Sequence, residues 1–305
     1  MIKKVYYVIF FILLFALILA IANNTKQFFA SITNTLSIWL YYVYPSIFTF
    51  YILSSFLINL NIIRKITFIF KPFISFEAEK AYELFFIAIL VGNPSASSLT
   101  IKELEFNTIT EKDANKLIKV CSFFNPLFII SLFSVGIFAN NRYAYLIIVV
   151  ILITNILLSK LFNKNVEKVK TNNDLIIFKP DKILSSINDS LYLLIQVAGV
   201  MVFVNIIKFS LLNLFDYINL ESFILNFIIA NLEISTGAIE VIKANANINI
   251  TIALLTFLIS FQGLSINLQV YNVIKTHYKL LPILLIRLIQ ASITSVITYL
   301  ILTLT

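Results

Sequence analysis

Apolar residues run along this chain in long stretches, separated by short polar turns and basic loops. Two stretches are interrupted by small and polar residues, at Gly92-Asn93-Pro94-Ser95-Ala96-Ser97-Ser98 and at Glu233-Ile234-Ser235-Thr236-Gly237-Ala238. Each is followed by an apolar span broken once, at Asn125-Pro126 in the first half and at Gln262-Gly263 in the second. The runs are continuous rather than alternating, which predicts helices and excludes a barrel of period two. Several approach the ~20 residues that a helix needs to cross a bilayer.

In order, Val5 to Ala22 predicts a first span. Asn23-Asn24-Thr25 is a poor small-residue cleavage site, which favours an uncleaved span with a cytoplasmic N-terminus over a signal peptide. Gln27 to Ile63 predicts an interfacial approach and one span that begins near Pro45 or slightly before it. Charges from Arg64 to Glu83 are interleaved with Phe68, Phe70, Phe73 and Phe76. Two readings are open there, a segment with its aromatics toward lipid and a loop packed on its own protein. Leu84 to Ile101 reads as a hairpin that enters and returns on one side, against the alternative of a kinked span with helix-packing serines. In the hairpin, Asn93, Ser95, Ser97 and Ser98 are local partners for the backbone. Thr110-Glu111-Lys112-Asp113 predicts a helix start with Thr110 as N-cap, on a helix whose charges face water.

Val120 to Ala139 and Tyr143 to Ser159 predict two further spans. Lys160 to Asp189 is the one long polar stretch, rich in lysine, and is expected to be cytoplasmic. Leu191 to about Phe215 crosses next, Ser222 to Ile239 forms a second hairpin, and Ile248 to Ile274 and Leu280 to Leu304 complete the set. The sum is an all-α polytopic membrane protein with about seven transmembrane helices plus two re-entrant hairpins. This topology places most of the 23 Lys and Arg residues on the cytoplasmic side. The order of elements divides the chain into an N-terminal transmembrane anchor (1–35), a first repeat (36–159), a basic linker (160–190) and a second repeat of inverted topology (191–305). Paired interruptions in two inverted halves point to a central site near mid-membrane.

Composition agrees. The chain of 305 residues is 60% hydrophobic and 12% charged, with mean hydropathy +0.95, where a soluble domain carries about 25% charged residues. The formal net charge of +8 sits in loops between spans, as membrane orientation requires, so nucleic acid is not an expected partner. One cysteine, Cys121, and one histidine, His277, rule out an internal disulfide and a His-pair metal or haem site. They leave no Cys/His nucleophile pair, and no zinc motif or nucleophile elbow is present. No enzyme, metal or cofactor is expected.

Candidate site residues lie at the interruptions. Asn93 and Ser95 face Ser235 and Thr236 across the pseudo-twofold, with Asn125 and Gln262 at the breaks. Half-helix N-termini offer free N–H groups to an anionic or polar solute, and amide side chains both donate and accept. Glu233 lies deep in an apolar run, where a carboxylate costs roughly 2.5–3.5 kcal/mol on insertion scales. It reads either as an ion-coupling residue or as a structural partner of Arg287 or Lys208. Arg287 also reads as a snorkelling residue near the inner interface, and Gln269 and Gln290 as helix-to-helix hydrogen bonds.

Gly92-Asn93-Pro94, Glu111-x-x-Ala114-x-x-Leu117, Cys121 and Pro126-Leu127-Phe128-Ile129-Ile130 resemble the nucleoside-recognition, or Gate, domain. Phe261-x-Gly263-Leu264-Ser265, Gln269-Val270 and Leu285-x-Arg287-Leu288-x-Gln290 extend the resemblance over roughly residues 36 to 300. The order is most similar to sporulation integral membrane proteins of the YlbJ type. Ala96-Ser97-Ser98 departs from the family's usual Gly-Ala-Lys, Ser122-Phe123 from an Asn pair, and Asn125 from a Gly. The resemblance implies a nucleoside-transporter-like fold and a role in endospore (cortex) formation, in a forespore or mother-cell membrane. Two functions lead, binding or transport of a small polar solute and a non-transporting scaffold that recruits spore-envelope proteins; an intramembrane enzyme is a distant third. The partners that these readings leave open are the solute, spore-envelope proteins and a second copy of the chain in a homo-oligomer.

Overall fold

The computed structural model describes residues 15, 18–19, 21–59, 63, 66–134, 141–161, 180–215, 222–234, 237–238, 241–242 and 247–304. The predicted first span falls largely outside them. Among the described residues the elements are helical, and five stretches are long and apolar enough to cross a membrane: Thr25–Ile58, Asn141–Leu161, Leu184–Asn213, Ile248–Ile274 and Leu280–Leu304. The chain is an all-α polytopic membrane protein.

Helix α1 (Thr25–Ile38) continues through a π turn (Trp39–Val43) into α2 (Tyr44–Asn59). The helical stretch therefore starts near Thr25 rather than near Pro45. The π turn lies just before Pro45, whose ring nitrogen cannot donate to the carbonyl one turn back, and widening that turn relieves the conflict. Next comes a 3-10 turn (Thr67–Phe70), then the short helices α3 (Glu79–Val91) and α4 (Ser95–Glu105), separated only by Gly92-Asn93-Pro94. Helix α5 (Glu111–Lys119) begins as expected, with the Thr110 side chain accepting from the Asp113 N–H.

The predicted span from Val120 divides. Cys121–Asn125 carries no helix, and α6 (Pro126–Ser134) starts at the proline, which suits a first helical position. Helix α7 (Asn141–Leu161) follows, then α8 (Pro180–Phe215). Residues 180–190, expected in a polar linker, are the first turns of α8, because Ser186 and Ser190 turn inward and are buried. The remaining elements are α9 (Ser222–Leu232), α10 (Ile248–Phe261), α11 (Gly263–Ile274) and α12 (Leu280–Leu304).

Polar rungs fix the packing. Asn24, Ser31, Trp39 and Ser55 bond Asn213, Asn205, the Leu194 carbonyl and Ser186 respectively, so α1–α2 runs antiparallel to α8 along its length. Asn249 reaches the Leu302 carbonyl and Ser295 the Ala253 carbonyl, which sets α10 antiparallel to α12. Side chains that hydrogen-bond across apolar helices replace the missing hydrophobic drive between them. The main core gathers residues from both halves, including Phe85, Leu99, Phe123, Ile147, Leu258 and Ile259. Aromatic side chains Phe68 and Phe73, together with Ile69, stand exposed on the segment between α2 and α3.

On the face carrying α5, Glu77, Asp113 and Lys116 are buried, while Glu111 and Lys112 stay exposed. Asp113 accepts from the Glu77 and Ala78 N–H groups at 2.9 and 2.8 Å, Lys116 donates to the Ser75 carbonyl at 2.9 Å, and Lys112 pairs with Glu77 at 2.9 Å. The expectation of a solvated helix holds for Glu111 and Lys112 and fails for Asp113 and Lys116, which cap the irregular segment Ser75–Ala78, a stretch with no backbone ladder of its own. Burial pushes the Asp113 carboxyl above the usual aspartate range despite its two N–H donors.

Candidate functional site

The turn between α3 and α4 is built for close approach. Gly92 has φ 67° and ψ −177°, a region open essentially to glycine alone. A Cβ there would lie 2.5 Å from the Asn125 nitrogen and 2.7 Å from the Phe124 carbonyl carbon. The turn is therefore pressed on the unwound segment before Pro126. Asn93 N donates to the Phe123 carbonyl at 2.9 Å, and the Asn93–Pro94 peptide is cis.

At the second break, Gln262 adopts a left-handed conformation (φ 69°) between α10 and α11, followed by Gly263 at φ 59°. A Cβ on Gly263 would come within 3.2 Å of the Asn231 carbonyl, at the end of α9. Gly237 is packed on α9 in the same way, where a Cβ would meet Ala230 Cα at 2.1 Å. In both halves, then, a glycine lies against the backbone of an interrupted segment.

The two breaks meet. Asn93 Nδ2 donates to Gln262 Oε1 and to Ser122 Oγ, each at 3.0 Å, while Ser97 Oγ donates to Asn93 Oδ1 at 2.8 Å. Gln262 Nε2 donates to the Phe123 carbonyl at 2.8 Å, and Asn155 Nδ2 on α7 to the Ser122 carbonyl at 3.0 Å. Gln262 and Asn155 are wholly buried. Each amide thus satisfies a backbone or side-chain group that the unwinding frees.

Of the sequence-predicted residues, Asn93 and Gln262 come together. Asn125 does not join them: its Nδ2 donates to Ser46 on α2 at 2.8 Å, and its Oδ1 accepts from the Leu127 N–H at 2.9 Å. It is spent on starting α6. Ser95 opens α4 and is buried, but its hydroxyl takes no part in the cluster. Ser235 and Thr236 lie outside the described residues. Glu233 follows α9 directly and is 6% exposed. Of the two structural partners open to it, Arg287 and Lys208, Arg287 is engaged elsewhere: its side chain donates Nη1 to Asn267 at 2.5 Å. Nor does Arg287 snorkel, since it is fully buried. Gln290 makes the expected interhelical bond, to Asn155, whereas Gln269 bonds Ser265 within its own helix at 3.3 Å. Sequence reasoning missed Ser122, Asn155 and Asn267. The signal was available for the two asparagines, as amides inside apolar helices.

These features define a polytopic helical membrane protein with a buried amide crossing between two broken segments. Over 134 residues, 43% of the chain, the sequence is 33% identical to the sporulation integral membrane protein YlbJ of Bacillus subtilis (strain 168). The matched stretch spans 32% of that relative's length. No family model matches the chain, and no solved structure matches it.

Proposed function

We propose that the chain is a sporulation membrane protein of the YlbJ type that binds a small polar solute where its two broken segments cross, and moves it across the membrane. The reading takes residues 36–159 and 191–305 as inverted Gate-like repeats, with about seven spans and two re-entrant hairpins, an anchor at 1–35 and a basic cytoplasmic linker at 160–190. Its setting is the cell membrane of a forespore or mother cell during cortex formation, with the N-terminus cytoplasmic. One observation carries it: Asn93 and Gln262, 169 residues apart in sequence, share a hydrogen bond at 3.0 Å. In this closed arrangement the amides satisfy one another. A solute that offers equivalent donors and acceptors replaces those bonds at little net cost, and so favours opening. Ser235 and Thr236 complete the solute site from the second hairpin, and Glu233 supplies the coupling charge.

A second reading is a non-transporting scaffold that recruits spore-envelope proteins. It is favoured by the exposed Phe68, Ile69 and Phe73 beside Lys71, and by the mutual satisfaction of the crossing, which suits a static clasp.

The test is thermal unfolding of detergent-solubilised protein against nucleosides, amino acids, sugars and anions. A ligand at a hundred times its dissociation constant adds about 2.7 kcal/mol to stability. A shift in the wild type that is lost in Asn93→Ala/Gln262→Ala is the expected result. No shift with any solute, from well-folded protein, overturns the transport reading in favour of the scaffold.

A further inference from the structure

Arg287 lies seven residues into α12, about 10 Å from its start at 1.5 Å per residue, and is 0% exposed. Its one hydrogen bond runs from Nη1 to Asn267 Oδ1. Asn267 in turn donates to the Phe261 and Gly263 carbonyls, at 2.9 and 2.6 Å, which flank Gln262. Arg287 is therefore held directly behind the second break. Its Nε and Nη2 are buried and have no hydrogen-bond partner. No ion pair among the described residues includes it.

Those two nitrogens share one edge of the guanidinium. Their parallel N–H bonds form the fork that fits two oxygens of a carboxylate or phosphate. A neutral amide on the opposite edge fixes the orientation of the fork without neutralising the charge. Inside a helical membrane protein, a buried cation calls for an anion.

The surroundings narrow the ligand further. Gln290, one turn along α12, is wholly buried and leaves its Oε1 without a partner. Residues three apart on a helix are surface neighbours, so an unpartnered acceptor and the unpartnered fork belong to the same buried face of α12. Thr294 and Thr298 continue the same buried face, and Ser260 Oγ on the packed helix α10 is also without a partner. An oxyanion alone uses the fork; an oxyanion that also carries an O–H or N–H uses Gln290 as well. We infer that Arg287 and Gln290 form a binding site for a small oxyanion, carboxylate or phosphate, that bears a hydrogen-bond donor. The site goes beyond the amide crossing and uses residues outside it.

The experiment is thermal unfolding of the full chain in detergent at constant ionic strength, with sodium phosphate, lactate, glycine, acetate or chloride. Phosphate, lactate or glycine raises the midpoint, acetate does so less, and chloride does not. A phosphate response without lactate or glycine assigns a phosphate ligand, and the converse a carboxylate. Arg287→Lys keeps the charge and loses the fork, and weakens the apparent affinity about tenfold, or about 1.4 kcal/mol. Should that variant fail to fold, Gln290→Met decides: it removes the advantage of lactate over acetate while acetate still acts. No response to any oxyanion, or a response unchanged in both variants, overturns the site. A response to neutral solutes alone, abolished in Asn93→Ala/Gln262→Ala, also overturns it and leaves the crossing as the place of binding.

Discussion

Replacing Gly92 by alanine tests the architecture at its tightest point. The backbone there, at φ 67° and ψ −177°, costs a non-glycine residue about 1–3 kcal/mol. The new methyl group would meet Asn125 N at 2.5 Å, Phe124 C at 2.7 Å and Phe123 O at 3.0 Å. All three are main-chain atoms, so no side-chain rotation relieves the clash. Moving the turn away instead breaks the bond from Asn93 N to the Phe123 carbonyl and loosens the one from Asn93 to Gln262. Each is worth about 0.5–1.5 kcal/mol net. The combined loss is about 2–6 kcal/mol. Gly199 supplies the control, because it sits within α8 and a Cβ there meets nothing within 4 Å. Gly199→Ala should gain about 0.5–1 kcal/mol from helix propensity. Thermal unfolding in one detergent, followed by the loss of a monodisperse chromatographic peak, compares the two. If Gly92→Ala melted within about 0.5 kcal/mol of wild type while Gly199→Ala behaved as stated, the turn would not be seated on the unwound segment. The account of the crossing would then fail with it.

Three further outcomes follow from the same geometry. A double-mutant cycle on Asn93→Ala and Gln262→Ala should show a coupling of about 0.5 kcal/mol or more, and additive losses would mean the two amides do not interact. Asn125→Ala removes the cap of α6 and the bond to Ser46, and should cost about 1 kcal/mol while leaving any solute-induced midpoint shift intact; loss of the shift would return Asn125 to the binding set. Asp113→Ala leaves the Glu77 and Ala78 N–H groups without their acceptor, at about 1–3 kcal/mol each. Because the Asp113 carboxyl is raised above its ordinary value of 3.8, the folded state binds its proton more tightly than the unfolded chain. This group therefore adds stability as pH falls through the raised value toward 3.8. That component of the pH profile should be missing in Asp113→Ala, and identical profiles would refute it.

Much of this was readable from the chain, and for definite reasons. Asn93 and Gln262 betray themselves as polar residues at interruptions of apolar runs, where unwound backbone needs side-chain partners. Thr110 was readable from the capping pattern alone. Asn125 carries the same signal, but its side chain bonds Ser46 and the Leu127 N–H instead, because an asparagine before a proline serves equally well to begin the next helix. Ser122 was legible only as a departure from a family pattern, yet its hydroxyl accepts from Asn93. The start of α8 is hidden in the sequence because lysines between residues 160 and 189 suggest a linker, while Ser186 and Ser190 give no apolar periodicity despite being buried. The burial of Arg287 is not legible in the sequence, because its distance from the helix end suits snorkelling as well. Only the packing of α10, α11 and α12 decides between them.

Asn155 uses both ends of one amide, donating to the Ser122 carbonyl at the first break and accepting from Gln290 beside Arg287. The unwound segment of one half and the arginine-bearing helix of the other therefore share a single side chain. A displacement that favours one orientation of that amide at Gln290 favours it by the same amount at Ser122. Thermodynamic linkage makes the influence reciprocal: whatever free energy a change at one end of this amide lends to the other is returned in equal measure. Asn155→Leu cuts that link while leaving Asn93, Gln262 and Arg287 in place, so any coupling that survived would run through Asn267 and the carbonyls that flank Gln262.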